Sequence, residues 1–467
     1  MILGLALLSG QAAGAGVNLP PTREIRLPSG ATLLLAEKHD VPLVAFHAWL
    51  RGGSLTDPAG KEGVAALTAE MLRKGAGKRS AREIADAADG VGGALETGAT
   101  MEVSWVSGEF LSRDHSLMLE LLADLLRRPS FPDSEFAKLQ ARSIEAIAAE
   151  KDDPSNVLPA YGQAYFFREH PYGRPSDGDE GTLKGITRED VLRSYRENYG
   201  GDRLIFSMVG DFDSRAMERK LRAALGDWAA APARLEPVPP TESASGRHVL
   251  LIEKPGAVET NIWIGNLGVS RTDSDRNAID VGNTYFGGRF TSLLNTALRI
   301  ESGLAYGAGC QLLRRTLPGT VTISFATATE NTERAIELAL ETQERFRREA
   351  LDRGALASVR AYIEGLFPTR IETGRQIAAR LAELSFYQLP ADEVSGYVGR
   401  IAATDSMEVS AVARRVYPSR EDLTFVLIGD AAKLRPLARR LGPTVEASIE
   451  LPLMETRAIG ASTPGRR

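Results

Sequence analysis

The chain has few of the residues that build disulfides and metal sites. Its single cysteine, Cys310, excludes an internal disulfide in a chain of 467 residues, and its apolar surroundings predict a buried thiol. No two of the five histidines lie within one helical turn, and no H-x-x-E-H, H-x-x-x-H or C-x-x-C spacing occurs. Because a catalytic zinc normally takes about three protein ligands, the sequence predicts no metal site in this chain.

Positive charge and long apolar runs are also scarce. A net charge of −5 and a pI near 5.8 argue against a nucleic-acid surface, which needs clustered Lys and Arg. No segment approaches the roughly 20 apolar residues of a membrane-spanning helix. The content of 43% apolar and 25% charged residues is typical of a soluble globular protein, and the length predicts two sizeable domains.

The N-terminus resembles a secretory signal. A short apolar run at residues 2–8 is followed by Ala13-Gly14-Ala15, which matches an A-x-A cleavage pattern, although no Lys or Arg precedes the run. We therefore predict a signal peptide over residues 1–15 and a mature, soluble periplasmic protein that begins close to Gly16. An ordinary N-terminus is the alternative.

An internal repeat indicates the domain organisation. The apolar segment at residues 204–211 recurs at residues 423–430, each time as a strand that stops at Gly-Asp. Residues 31–51 and 248–268 correspond as well, each predicted to be a strand pair flanking a turn. The proline-rich residues 231–246 read as a linker, because proline at this density cannot join a helix or sheet interior.

The repeat predicts two homologous domains of the α+β class. In each half a strand pair, a helix, further strands, long helices and a final strand follow one another, which favours a mainly antiparallel sheet with helices packed on one face. The predicted boundaries are 20–230 for the N-terminal domain and 247–449 for the C-terminal domain, with a tail at 450–467.

Residues 63–75 contain the most informative motif. They follow the frame G-x-A-x-x-x-x-x-M-L-x-K-G, which resembles the zinc-binding helix of the pitrilysin/insulinase family of inverted zinc peptidases, whose fold is of the LuxS/processing-peptidase type. In active members the five residues that begin at position 66 read H-x-x-E-H, and the first, fourth and fifth of them share one helix face. Here those three positions are Ala66, Ala69 and Glu70. The motif is therefore degenerate, because both imidazoles are missing.

The resemblance also implies a third zinc ligand, a Glu about two helices downstream. The nearest candidates are Glu145 and Glu150, and the register counted from position 70 falls between them. We interpret both as polar positions on an amphipathic helix over about residues 133–151.

A second family segment lies in the C-terminal half. Residues 298–306 resemble the family's L-R-x-x-x-G-L-A-Y segment, and Arg299 and Tyr306 match its Arg and Tyr. In the family these two side chains reach the substrate across the closed cavity and stabilise the reacting carbonyl. The alternative is a structural role, with Arg299 in a surface ion pair and Tyr306 packed on a sheet.

The resemblance implies a split active site. In bacterial members built from two half-length chains, one chain carries H-x-x-E-H and zinc, and a homologous chain lacks them and supplies the Arg/Tyr pair. We predict that this chain is the second kind: inactive alone, without a cofactor of its own, and part of a zinc metalloendopeptidase complex. Its partners would be the H-x-x-E-H chain and an unfolded peptide, which adds as a strand to an exposed edge over residues 93–102. The predicted binding positions at that edge are Gly93, Ala94, Leu95 and Glu96.

Two alternatives remain open. The chain could be a peptide-binding or structural homologue that resembles the core subunits of respiratory complexes. Arg299 and Tyr306 held in internal ion pairs, out of reach of any cavity, would favour this alternative. The chain could also retain autonomous hydrolysis, which stoichiometric zinc in the isolated chain would favour.

Overall fold

A computed structural model describes residues 19–461, and two six-stranded sheets organise them. Strands such as β3 and β7 are rich in β-branched and aromatic residues, and over part of their length buried positions alternate with half-buried ones. The strands are β1 Thr22–Arg26, β2 Thr32–Glu37, β3 Leu43–Arg51, β4 Gly75–Ala76, β5 Arg79–Ser80, β6 Ala94–Ala99, β7 Val103–Leu111, β8 Leu204–Gly210, β9 His248–Glu253, β10 Glu259–Leu267, β11 Ala305–Arg314, β12 Pro318–Ala328, β13 Thr424–Gly429 and β14 Thr444–Ser448.

Helices connect and cover the sheets. Many begin at a Ser, Thr or Asp whose side chain accepts a hydrogen bond from the first turn, as at Ser80, Thr187 and Asp405. The helices are α1 Val64–Met71, α2 Ala81–Asp89, α3 His115–Arg127, α4 Asp133–Glu150, α5 Pro154–Phe167, α6 Glu180–Gly185, α7 Arg188–Asn198, α8 Ser214–Leu225, α9 Arg276–Phe286, α10 Leu293–Asn295, α11 Thr332–Arg348, α12 Arg353–Leu366, α13 Gly374–Tyr387, α14 Tyr397–Ala403, α15 Ser406–Val416, α16 Ala431–Leu441 and α17 Leu453–Ala461. Helix α10 continues into a π-helical turn over Thr296–Glu301.

The two sheets have corresponding topologies. The first has the order β1-β2-β8-β3-β7-β6, and only the β2–β8 pair is parallel. The second has the order β11-β12-β10-β13-β9-β14, in which β13 and β14 pair with β9 in parallel. Strands β2, β3, β6, β7 and β8 thus correspond to β9, β10, β11, β12 and β13. The predicted fold, two homologous and mainly antiparallel sheets with helices, is confirmed.

One detail of the predicted repeat is wrong. Strands β2 and β3 are joined by a short turn but do not pair with each other, because β8 lies between them. Strands β9 and β10 are separated by β13 in the same way. The late, Gly-terminated strand of each half is central in its sheet and buried along its length, which explains its continuous apolar sequence.

Each sheet has its own helices on one face and a helix from the other half on the opposite face. The core of the N-terminal half lies between the first sheet and helices α1, α2, α3 and α8, while α13 of the C-terminal half packs against β3 and β8. Reciprocally, α5 of the N-terminal half packs against β10 and β13. Gly162 of α5 permits this close approach, since a Cβ there would lie 2.5 Å from the Trp263 ring.

The remaining segments connect these elements. Residues 231–246 contain neither helix nor strand. Within residues 450–461, which the sequence assigns to a tail, helix α17 packs against α5 and buries Leu453. The predicted signal peptide lies outside the described residues. Over the stretch from residue 19 to residue 461, no helix is both long and apolar enough to cross a membrane.

Candidate functional site

Helix α1 carries the three degenerate motif positions, and a buried carboxyl group fixes its start. Asp57 accepts hydrogen bonds from the backbone N–H groups of Gly63, at 2.8 Å, and Ala65, at 3.0 Å. Burial raises the pKa of Asp57 to about 8, against the opposing effect of these two hydrogen bonds. Sequence reasoning missed this residue, although an Asp-Pro dipeptide shortly before a helix is a recognisable start signal.

The side chains at the motif positions do not fit a catalytic zinc. Ala66 contributes a methyl group to the wall of a cavity, and Ala69 is fully buried inside the fold. Glu70 lines the same cavity but forms an ion pair with Arg73 at 2.7 Å. A zinc site needs imidazole, thiolate or several carboxylate ligands that converge, and this helix face offers one paired carboxylate.

The two candidates for a third zinc ligand differ in their position relative to the cavity. Glu150 lines the cavity together with Glu70, whereas Glu145 is not among the lining residues. Burial, and then the charge of Asp177, raises the pKa of Glu150 above its usual range. The pKa of Asp177 is raised by burial and by Glu70. The described part of the chain holds no group of three or more His, Cys, Asp or Glu side chains that could bind a metal ion.

The cavity beside α1 lies between the two halves of the molecule. We call it the large cavity; its volume is about 1140 Å³. Helices α1, α4 and α5 form one wall, and strands β10, β11 and β12 form the other. Polar side chains of the sheet, such as Asn261, Gln311 and Thr322, face the helical wall. This arrangement offers both hydrogen-bonding and apolar surface to a bound chain.

The predicted substrate-binding edge is an edge strand. Strand β6 pairs only with β7, so its other edge has no strand partner in the part of the chain described here. It contains Ala94, Leu95 and Glu96, and Gly93 immediately precedes it. Glu96 forms an ion pair with Arg375 of α13. The backbone of β6 is thus available for strand pairing, while the Glu96 side chain already has a partner within the chain.

The expectation that the exposed edge reaches residue 102 is wrong. Strand β6 ends at Ala99, and Glu102 is buried. Its carboxylate accepts hydrogen bonds from the hydroxyls of Tyr172 and Tyr387, each at 2.9 Å, and from the backbone N–H of Thr316 at 3.0 Å. Glu102 therefore joins the N-terminal half to two segments of the C-terminal half.

Arg299 and Tyr306 lie together on the surface of the C-terminal half. The Arg299 guanidinium is stacked 4.6 Å from the centre of the Tyr306 ring and 4.9 Å from that of Phe290. The Tyr306 side chain is 87% exposed. Within residues 19–461, Arg299 has no carboxylate partner, and neither Arg299 nor Tyr306 lines a described cavity. The surface ion pair considered as the structural alternative is absent from this region.

Local backbone features hold this pair in place. Asn295 is buried, donates to the carbonyl of Phe290 at 2.7 Å and accepts from the backbone N–H of Ala308 at 3.1 Å. The pairing of β11 with β12 shifts register between Ala305 and Ala308, which places Tyr306 in a bulge of an edge strand. A bulge redirects side chains away from the regular pleat, and here it keeps the Tyr306 ring outside the sheet.

A second cavity adjoins the large one. We call it the small cavity; its volume is about 630 Å³. Both are lined by the same five residues at their boundary: Met101, Ser176, Asp177, Leu313 and Arg315. Sequence reasoning identified neither cavity, since each is formed by segments that are distant along the chain.

Comparisons with known proteins find similar sequences and similar folds. The family model described as insulinase (peptidase family M16) matches residues 32–180, and the model described as the peptidase M16 inactive domain matches residues 185–362. An uncharacterized zinc protease of Streptomyces coelicolor is 29% identical over 61% of this chain, and the chain spans 63% of that relative's length. An uncharacterized zinc protease of Mycobacterium tuberculosis is 24% identical over 85% of this chain and 91% of its own.

Solved structures show the same fold at low sequence identity. The peptidase M16 inactive domain from Pseudomonas fluorescens has a TM-score of 0.81 and 22% identity, and the match covers 88% of this chain and 98% of that one. The periplasmic protease PqqL from Escherichia coli has a TM-score of 0.74 and 14% identity, with 89% of this chain and 46% of PqqL covered.

Proposed function

The chain belongs to the insulinase family of peptidases, peptidase family M16, and from this premise we propose that it is the non-catalytic subunit of a heterodimeric zinc peptidase. Two observations together carry the proposal. The α1 face has no imidazoles, and the half-buried Arg299 lies against the exposed Tyr306 without an ion-pair partner in the described chain. Zinc and the general base would come from a homologous H-x-x-E-H chain.

Arg299 and Tyr306 would act on the substrate carbonyl in that partner's active site. The Arg299 guanidinium lies over two aromatic rings and has no carboxylate partner among residues 19–461, so its N–H groups are available to donate. The exposed hydroxyl of Tyr306 is a further donor. Donors that are held in place before the reaction stabilise negative charge on a carbonyl oxygen as it develops, which is the main contribution of an oxyanion hole.

The substrate would be an unfolded peptide bound partly by strand addition. The open edge of β6 supplies the backbone N–H and C=O groups of alternate residues among Ala94, Leu95 and Glu96, and Gly93 leads into it. The Glu96 side chain would contribute little, because it is paired with Arg375. Recognition at this edge would therefore depend on the peptide backbone.

A second candidate function is peptide binding without any part in catalysis. The large cavity favours it, because its volume of about 1140 Å³ is formed by residues of one chain and needs no partner. The two functions differ in one respect: only the first makes the hydrolytic rate of a partner depend on this chain.

We also propose export to the periplasm and two domains over residues 20–230 and 247–449. The apolar run at residues 2–8 and the Ala13-Gly14-Ala15 site support export. Sequencing the N-terminus of the native protein tests it. A mature start close to Gly16 is expected, and an intact Met1 in a cytosolic fraction would refute export.

Reconstitution tests the proposed function. This chain, an H-x-x-E-H homologue encoded in the same host, and their mixture are each assayed for bound zinc by mass spectrometry and for hydrolysis of a fluorogenic unfolded peptide. We expect no tight zinc and no hydrolysis with this chain alone, and strong activation of the homologue in the mixture. Stoichiometric zinc in the isolated chain, or a homologue that is fully active alone, would refute the proposal.

A further inference from the structure

Arg315 occupies an unusual position between the two cavities. It follows β11 directly, and its side chain lines both the large and the small cavity. The guanidinium lies over the ring of Tyr172, 4.8 Å from the ring centre. One positively charged group is therefore accessible from both cavities, at the boundary between the two halves of the molecule.

This guanidinium has no counter-ion among residues 19–461. It forms no ion pair and no hydrogen bond there, and its Nη1 atom is buried without a partner. The other three arginines that line the small cavity are all paired: Arg271 with Glu383 at 2.8 Å, Arg314 with Asp280, and Arg375 with Glu96. Burial lowers the pKa of Arg315, as expected for a charge removed from water without full compensation.

The nearby carboxylate of Glu102 does not serve as its partner. Both carboxylate oxygens of Glu102 accept hydrogen bonds from Tyr172, Tyr387 and Thr316. Its charge acts on Arg315 only from a distance. The donors of Arg315 are thus left for a group that the chain does not contain.

We propose, on the basis of the peptide-binding function above, that Arg315 anchors a carboxylate of the bound peptide, either its C-terminus or an Asp or Glu side chain. A guanidinium matches a carboxylate with two parallel N–H···O bonds, and such charge-assisted pairs are stronger than neutral hydrogen bonds. The contact with the Tyr172 ring restrains the Arg315 side chain before the ligand arrives, so less side-chain freedom is lost on binding. The two cavities then accommodate the peptide on either side of this anchor.

Binding to the isolated chain tests the anchor without any zinc partner. The probes are one fluorescent, unstructured peptide with neutral side chains and a free C-terminal carboxylate, its C-terminal amide, and the amide with one internal Glu. Fluorescence anisotropy should show that at least one carboxylate peptide binds about tenfold tighter than the neutral amide, or more. Preference for the free C-terminus or for the internal Glu identifies the source of the carboxylate.

Three variants test whether the preference for carboxylate peptides depends on Arg315. Arg315→Gln should abolish it, and Arg315→Lys should keep part of it, because the charge remains and the bidentate geometry is lost. Arg271→Gln is the matched control, since it removes a paired guanidinium from the same cavity, leaves Glu383 paired with Arg380, and should leave the preference for carboxylate peptides intact. Arg315→Gln should also melt no lower than the parent chain, because it removes a buried charge that lacks a partner.

Equal affinity for the acid and amide peptides would overturn the anchor, as would a preference that persists in Arg315→Gln or an absence of binding for all peptides. A clear loss of stability in Arg315→Gln would assign the residue to the fold instead. Failure of the proposed subunit function is recognised separately, because it appears only as missing activation of the H-x-x-E-H homologue.

Discussion

At position 66, where active members of the family have their first imidazole, this chain has a methyl group on a cavity wall. Arg299 and Tyr306 in the C-terminal half match the Arg and Tyr of the family segment. Their surroundings fit a role as hydrogen-bond donors better than a role in core packing. Arg299 is held by ring faces, and Tyr306 is almost fully exposed. A residue kept for stability is normally buried or paired, which supports the proposal that Arg299 and Tyr306 contact another molecule.

His47 gives a pH-dependent expectation for stability. Burial, followed by the charge of Arg375, lowers the pKa of His47 to about 4, against about 6.5 in an unfolded chain. Between these values the unfolded state binds more protons than the folded state, so stability falls as the pH is lowered from about 6.5 to about 4. We expect this histidine to account for about 3 kcal/mol of unfolding free energy lost over that range.

The variant His47→Leu isolates this effect. His47 has a buried Nδ1 without a hydrogen-bond partner, so an apolar replacement of similar size should fold. Urea unfolding of both proteins at pH 7 and pH 4 should show that the variant loses clearly less stability on acidification. Equal losses in the two proteins would mean that His47 is protonated in the folded state.

At the scale of one element, α1 has the residue pattern of the family's zinc-binding helix but lacks side chains that could bind zinc. Restoring the motif by Ala66→His, Ala69→Glu and Glu70→His should give only weak zinc binding, because no defined third ligand is present. The triple variant should also lose about 1–3 kcal/mol of stability, since position 69 is fully buried and a Glu there would be overpacked and desolvated.

The double variant Ala66→His with Glu70→His is the matched control, because it leaves position 69 unchanged. Calorimetric zinc titration and thermal melting should find weak zinc binding in both variants and reduced stability only in the triple one. Tight zinc in a triple variant as stable as the parent would contradict the environment described for Ala69.

The bounds of a helix can be predicted from the sequence more readily than the strands that pair with one another in a sheet. Helix α4 was expected over about residues 133–151 and spans Asp133–Glu150, because its apolar period is regular and proline precedes it. The insertion of β8 between β2 and β3 was not predictable, since the hydrogen-bonding partner of a strand depends on the tertiary fold. Asp57 was missed because burial gives a common turn residue its role.

At the scale of the whole molecule, the two halves are joined by exchanged helices and by a buried polar network. Glu102 is the centre of that network, and burial together with its charge raises the pKa of Tyr172 and of Tyr387, so both hydroxyls remain donors. The sequence did not identify Glu102 or Arg315. Their roles depend on residues more than 60 positions away along the chain that meet only after folding.

Removing Glu102 should weaken the contact between the halves. Glu102→Ala leaves three donors without an acceptor, and we expect a loss of about 3 kcal/mol or more. Tyr387→Phe removes one donor and should cost about 1 kcal/mol. Differential scanning calorimetry is the measurement. Similar melting curves for Glu102→Ala and the parent chain would show that the exchanged helices alone hold the halves together.

The trans role of Arg299 and Tyr306 is tested most directly by the turnover of the reconstituted heterodimer. Arg299→Ala and Tyr306→Phe should each lower peptide hydrolysis by about two to three powers of ten, while the melting temperature and the size-exclusion profile of the complex stay unchanged. Tyr362→Phe is the control, because Tyr362 is also exposed beneath an arginine, Arg289, and should keep full activity. Full activity in a stable complex that carries both Arg299→Ala and Tyr306→Phe would contradict a catalytic role for this pair.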